Sequence, residues 1–111
     1  MKKGMCKVSV AYPAGEGKTF DRDYYMNKHM KLVGDRLGDA LKGSMVEYGV
    51  SGAAPGSDAP FMAVATMYFD DMPSFGEAFG PNAPDFMADI PNFTNAEPVI
   101  QISEIAQVKV G

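Results

Sequence analysis

The segment Phe61–Phe69, FMAVATMYF, is apolar on both of its alternations. In an extended strand, residues two apart share a face. One face then carries Phe61, Ala63, Ala65, Met67 and Phe69, and the other Met62, Val64, Thr66 and Tyr68. A strand with one wet face would show polar residues on that side. Here neither face suits water, because apolar area costs roughly 25 cal/mol per Å2 when it stays exposed. Something must cover each face. One cover is a helix layer from the same chain. A patch of this kind on the other face marks an interaction surface, and a second copy, sheet against sheet, is the simplest partner. Cover by the chain's own loops or C-terminal tail is the alternative.

The rest of the chain supplies the helix layer. Met5–Tyr12 (MCKVSVAY) alternates and reads as a strand, closed by the breaker run Pro13-Ala-Gly-Glu-Gly. Asp21 is a good N-cap, Asp23 suits the positive end of the helix dipole, and Phe20 and Tyr25 have the spacing of a hydrophobic staple. From there a step of roughly 100° per residue gathers Asn27, Lys28, Lys31, Asp35 and Lys42 on one side. Tyr25, Met26, His29, Met30, Leu32, Val33, Leu37 and Leu41 gather on the other, which predicts an amphipathic helix weakened late by Gly34 and Gly38. Ser44–Ser51 reads as a strand and GAAPGSDAP as a loop. Ser74 and Glu77 have capping-box spacing for a second helix, whose buried side is Phe75, Phe79, Phe86, Met87 and Ile90. Gly80-Pro81 and Pro84 must kink or split it. Val99–Ile105 is a last strand, extendable to Val108.

The order β-α-β-β-α-β with two right-handed crossovers predicts an α+β, ferredoxin-like domain on a four-stranded antiparallel sheet. At 111 residues, a single domain over 1–111 is expected. Net charge is −4 with no basic stripe, which argues against nucleic acid. The single cysteine, Cys6, cannot form an internal disulfide and suggests a reducing compartment. No apolar run is long enough to span a bilayer, and Met1-Lys-Lys-Gly-Met-Cys lacks the apolar stretch of a signal peptide, so a cytoplasmic protein is expected.

His29 is the only histidine, and it falls on the apolar helix face. A core histidine with one satisfied hydrogen bond is the plain reading. Its neighbourhood supports a functional one: Tyr25 lies one turn before, Arg36 about two turns after, and the strands bring Tyr12, Thr66 and Tyr68. Imidazole moves protons near neutral pH, and a largely apolar pocket with a few polar groups is what a small ligand needs. The candidate catalytic residues are His29 and Tyr25. The candidate ligand contacts are Tyr12, Met26, Val33, Arg36, Thr66, Tyr68 and Phe86. One histidine without nearby cysteines offers no metal cage, and no organic cofactor motif is visible. GAAPGS lacks the phosphate-loop pattern. The carboxylate pairs Asp70/Asp71 and Asp85/Asp89 read as a strand-end turn and a solvated helix face.

Phe20-Asp21, Tyr24-Tyr25 and His29, followed by the segment AFGPNAPDFMADIPNFTNAEPVIQISEI, resemble the two signatures of the EthD family. The resemblance covers nearly the whole chain. It implies a ferredoxin-like domain that pairs into a dimeric αβ-barrel. It also implies a small hydrophobic or aromatic ligand, with cofactor-free decarboxylation, dehydration, cyclisation or oxygenation among the reactions of relatives. A non-catalytic binding or accessory role is the alternative. His29 matches the family histidine, Tyr24-Tyr25 its aromatic pair, and Asp89, Asn92 and Phe93 the second motif. The chain departs at Lys31, where the family commonly has proline.

Overall fold

The computed structural model describes residues 1–111. Strands β1 (Cys6–Pro13), β2 (Gly43–Tyr48), β3 (Phe61–Phe69) and β4 (Val99–Glu104) form one sheet in the order β2-β3-β1-β4. Every neighbouring pair is antiparallel. The first helical segment runs through α1 (Arg22–Tyr24), a π turn (Tyr25–His29) and α2 (Met30–Leu37) into a 3-10 turn (Gly38–Ala40). The second comprises α3 (Met72–Phe79), a 3-10 turn (Gly80–Asn82), α4 (Ala83–Asp89) and a 3-10 turn (Ile90–Asn92). This is the ferredoxin-like α+β fold that the order of elements predicts.

Register divides the two faces. Val8 pairs with Met67 and Ile102, and Val10 with Ala65 and Ile100, so these residues share one face with Cys6, Tyr12, Ala63 and Phe69. That face packs with Tyr25, Val33, Leu37, Phe86 and Phe93 into the core. Thr66 and Tyr68 pair with Ser9 and Lys7 and lie on the opposite face, together with Val64, whereas Met62 falls at a bulge and packs against the core. No helix covers that side. Its rim is wet and apolar at once: Met45 is 50% and Val99 55% exposed. Both sides of β3 are apolar as read; the helices cover one, and on the other Thr66 and Tyr68 are buried within the chain while Met45 and Val99 stay about half exposed.

Several boundaries differ from expectation for local reasons. The first helix ends at Leu37 instead of reaching Lys42, because Gly38 takes φ 55°, a conformation other residues avoid. The second begins at Asp71, not Ser74. The Asp71 side chain accepts from the Ser74 N–H at 2.8 Å, and Pro73 sits in the first turn, where its missing N–H is harmless. Gly80-Pro81 and Pro84 do split that helix in two. β2 ends at Tyr48, one residue before Gly49, whose N–H still donates to the Met62 carbonyl at 3.1 Å and where a Cβ would overlap the Phe61 carbonyl. β4 ends at Glu104, short of Val108.

Candidate functional site

The entry to the first helix is built as its residues require. Asp21 accepts the Tyr24 N–H at 3.0 Å, and the Phe20 and Tyr25 rings meet at 4.9 Å as a staple. The helix then widens. The Met30 N–H donates to the Tyr25 carbonyl, five residues back, which is a π turn. A wider turn brings residues four apart into line. Tyr25 and His29 therefore share one side, with rings stacked at 5.5 Å and 19°, and Val33 and Leu37 continue the row.

A second segment closes on this row from 60 residues away. The His29 Nδ1 lies 2.9 Å from Asp89 Oδ2. The Tyr24 hydroxyl donates to Asp89 Oδ1 at 2.6 Å, and the Asn92 amide donates to the same oxygen at 3.0 Å. Residues 90–95 are clipped to the helix entry by the Asp21 N–H donating to the Phe93 carbonyl at 2.8 Å and the Thr94 hydroxyl donating to the Thr19 carbonyl at 2.6 Å. These clips hold the carboxylate against the imidazole. Asp89 was expected on a solvated helix face, and that expectation is corrected here. The 3-10 turn after α4 tucks it inward, so its side chain keeps only 15% exposure. Asp85, the other member of the pair, does stay in solvent and binds Arg36 at 2.7 Å.

Charges in the cluster are settled by hydrogen bonds. Burial works against ionising Asp89, but the donors Tyr24, Asn92 and His29 and the histidine charge outweigh it. The carboxyl is held below the usual range. Tyr24 is raised, first by donating to Asp89 and then by partial burial. Burial pushes Tyr12 up to about 12. Tyr25 is raised further, by burial first and then by the neighbouring Tyr12 and Tyr48. All three tyrosines therefore stay protonated at neutral pH.

A small cavity of about 40 Å3 lies between sheet and helices. Its floor is Val10, Tyr12, Ala65, Met67 and Ile100. Its walls are Tyr25, His29, Met30 and Val33 from the first helix and Phe79, Phe86, Met87 and Ile90 from the second segment. Asp89 takes Nδ1 of His29, so Nε2 is the ring nitrogen left for an incoming group. Of the candidate residues, the fold brings together Tyr12, Tyr25, His29, Val33 and Phe86.

It leaves four others outside. Met26 is 46% exposed, because the π turn assigns Tyr25 and His29, not their neighbour, to the inner side. Arg36 lies beside the Val33–Leu37 row with its guanidinium in water against Asp85 and Asn82. Thr66 and Tyr68 sit on the far face of the sheet, since a period of two sends alternate residues of β3 away from Ala65 and Met67. No group of three or more His, Cys, Asp or Glu side chains is gathered to hold a metal ion. No helix is long and apolar enough to cross a membrane.

The EthD domain matches residues 14–97, which contain the histidine, its carboxylate and both clips. The chain belongs to the EthD family. Among solved structures, an EthD-like protein from Ralstonia eutropha JMP134 is 40% identical, covers 92% of each chain and superposes with a TM-score of 0.85. An EthD-family protein from Bacillus halodurans C-125 is 22% identical over 90% of this chain and 97% of its own, with a TM-score of 0.63. A protein of unknown function from Thermobifida fusca YX, described as dimeric and ferredoxin-like, is 13% identical over 95% of each chain, with a TM-score of 0.57. A comparison with curated proteins gave no match.

In this EthD-family chain the Asp89 carboxylate also couples the site to acid stability. Its folded-state pKa lies below the ordinary 3.8, so the unfolded chain binds that proton more readily. The contribution is fully present above about pH 4 and is lost as pH falls through the lowered value. Asp89→Asn should therefore flatten the acid limb of stability against pH. Urea midpoints measured from pH 6 down to pH 2.5 check this, and an acid limb as steep as that of the unaltered chain would remove Asp89 as its source.

Proposed function

We propose that this EthD-family protein performs cofactor-free acid/base chemistry on a small hydrophobic or aromatic molecule, with His29 as the base. The observation that carries the reading is the 2.9 Å His29–Asp89 pair at the wall of an otherwise apolar cavity. Asp89 accepts from Nδ1–H, which leaves the Nε2 lone pair free for the cavity. A C–H or O–H beside a carbonyl, or on a phenol, gives its proton to Nε2. The electron pair stays on the ligand oxygen as an enolate or phenolate, and the resulting imidazolium is stabilised by the Asp89 carboxylate. Tyr25, protonated at neutral pH and lining the same cavity, is the donor for that oxygen once its hydroxyl turns away from Tyr12, to which it donates. Tyr68, on the far face, has no part in this. A volume of about 40 Å3 admits the reacting end of a molecule. Met30, Met67 and Met87 are the pliable lining that makes room for more.

The test is hydrogen–deuterium exchange in D2O on a panel of aryl ketones and phenol-bearing carbonyl compounds, with the free compounds as blanks. The expected result is exchange at the acidic carbon that depends on His29. Binding of panel members without exchange would replace this reading with a carrier role, which the apolar lining serves equally well.

The assembly that fits is a homodimer joined through the helix-free sheet face, forming an αβ-barrel. What supports it is the apolar share of that face, with Met45, Val64 and Val99 on the same side. Native mass spectrometry should return twice the 11.9 kDa chain mass. Val64→Lys should return one chain, because it places two ammonium groups in the apolar joint. A wild-type chain that stays single at high concentration would sink the dimer.

A further inference from the structure

The carboxylate of Asp89 has four lone-pair positions and three donors, and their arrangement is uneven. Tyr24 and Asn92 both donate to Oδ1, whereas His29 alone faces Oδ2. A carboxylate oxygen only accepts, so the amide atom of Asn92 facing it must be the NH2. Both donors are fixed from behind. The Tyr24 ring stacks on Phe93 at 24°, and Asn92 sits in the 3-10 turn that follows Asp89.

We propose that Tyr24 and Asn92 are positioning residues that hold the Asp89 carboxylate by which the tautomer of His29 is fixed. By occupying Oδ1 they hold Oδ2 against Nδ1; because a carboxylate only accepts, the neutral ring then carries its proton on Nδ1 and offers an unprotonated Nε2 to the cavity. The functional meaning rests on the reading of His29 as a base; the tautomer itself does not. Without the two donors the carboxylate could rotate, and its hold on Nδ1 would loosen. The raised Tyr24 and the lowered Asp89 agree with a neutral donor on an ionised acceptor.

The arrangement makes a sharp forecast for Asp89→Asn. With Tyr24 and Asn92 held in their donating orientations, the amide oxygen takes their side. Its NH2 then faces His29 Nδ1, which has to accept, and the ring proton moves to Nε2. His29 is the only histidine, so long-range 1H–15N spectra of the histidine-labelled protein, taken where the ring is neutral, need no assignment by mutation. Wild type should show the pyridine-like nitrogen at Nε2. Asp89→Asn should show it at Nδ1. Asp89→Asn combined with Tyr24→Phe and Asn92→Ala should restore the wild-type pattern, because the amide can then turn its oxygen to the ring.

A wild-type pattern in Asp89→Asn, or a reversed pattern that persists in the triple variant, would overturn the positioning role. A wild type with its proton on Nε2 would overturn the proposal itself, whereas Nδ1–H in a protein that exchanges no proton of the ketone and phenol panel would uphold the tautomer and end the reading of His29 as the base. If Asp89→Asn does not fold, Tyr24→Phe/Asn92→Ala with Asp89 intact serves in its place. Exchange of the Nδ1 proton with water should then quicken roughly tenfold, as expected for weakening a charge-assisted hydrogen bond, and an unchanged rate would overturn the role.

Discussion

Phe93→Ala should cost about 3–5 kcal/mol, the range for emptying a buried aromatic site. The Phe93 ring is 3% exposed and lies within 4.7–6.4 Å of the rings of Tyr12, Phe20, Tyr24, Tyr25 and His29. Those rings come from β1, the helix entry and the π turn, so no single element can shift to fill the gap. The Phe93 carbonyl also accepts from the Asp21 N–H, and that bond survives the substitution and holds the hole open. Against a total stability of about 5–15 kcal/mol for a small domain, this is a large fraction. The melting temperature should fall by roughly 15 °C, and near-ultraviolet circular dichroism of the tyrosines should weaken well below the transition. Val50→Ala, at a site 95% exposed, should stay within about 0.5 kcal/mol and is the control. If urea titration gives a loss under about 1 kcal/mol for Phe93→Ala, the ring cluster is not what joins the two helical segments.

The fold was legible because its signals are local and repeat. Alternation in β1 and β3, the Asp21 cap, the Phe20–Tyr25 staple and the proline breaks each depend on residues a few places apart, and each appears as read. The second apolar face of β3 was also legible, since a period of two leaves nothing else to decide. What failed was register inside the first helix. A uniform step of roughly 100° put Met26 and Arg36 beside His29; the π turn removed Met26, and Arg36 stays beside the row with its guanidinium drawn out to Asp85 and Asn82. Nothing in YYMNKHM announces that turn. It is stabilised by what Tyr25 and His29 meet across the fold: Phe93, Tyr12 and Asp89.

Asp89 was hidden for a similar reason. On a plain helical projection it pairs with Asp85, and an acidic pair on a short helix is usually solvated. Its inward turn depends on Ile90-Pro91-Asn92 forming a 3-10 turn and on Thr94 and Asn95 reaching residues 17–19, contacts that span more than 70 positions. One signal was available. Asp89, Asn92 and Phe93 fall together in the second family signature. A carboxylate, an amide and a ring at spacings of three and one fit a carboxylate held by its own turn better than they fit a wet surface.

His29→Gln should lower turnover by about 10²–10⁴, the range for losing a general base, while leaving the fold and the affinity for apolar ligands nearly intact. Glutamine is chosen over alanine for a physical reason. Alanine would strip Asp89 Oδ2 of its donor in a largely buried place, at a cost of about 1–3 kcal/mol, and lost activity could then be blamed on lost structure. A glutamine NH2 can still donate to that oxygen, so the carboxylate stays satisfied, but the side chain has no basic nitrogen for the cavity. The contrast therefore isolates proton transfer from architecture. Exchange rates in D2O at saturating substrate, beside ligand affinity and a urea titration on the same samples, separate the three quantities. A collapse in affinity with turnover per bound molecule preserved would make His29 a binding residue. Turnover equal to that of the unaltered chain would end its role as the base, and with it the functional sense of the Asp89 pair. The expected pattern, rate lost with binding and stability kept, follows from a ring whose one nitrogen is anchored at 2.9 Å and whose other is left for a ligand.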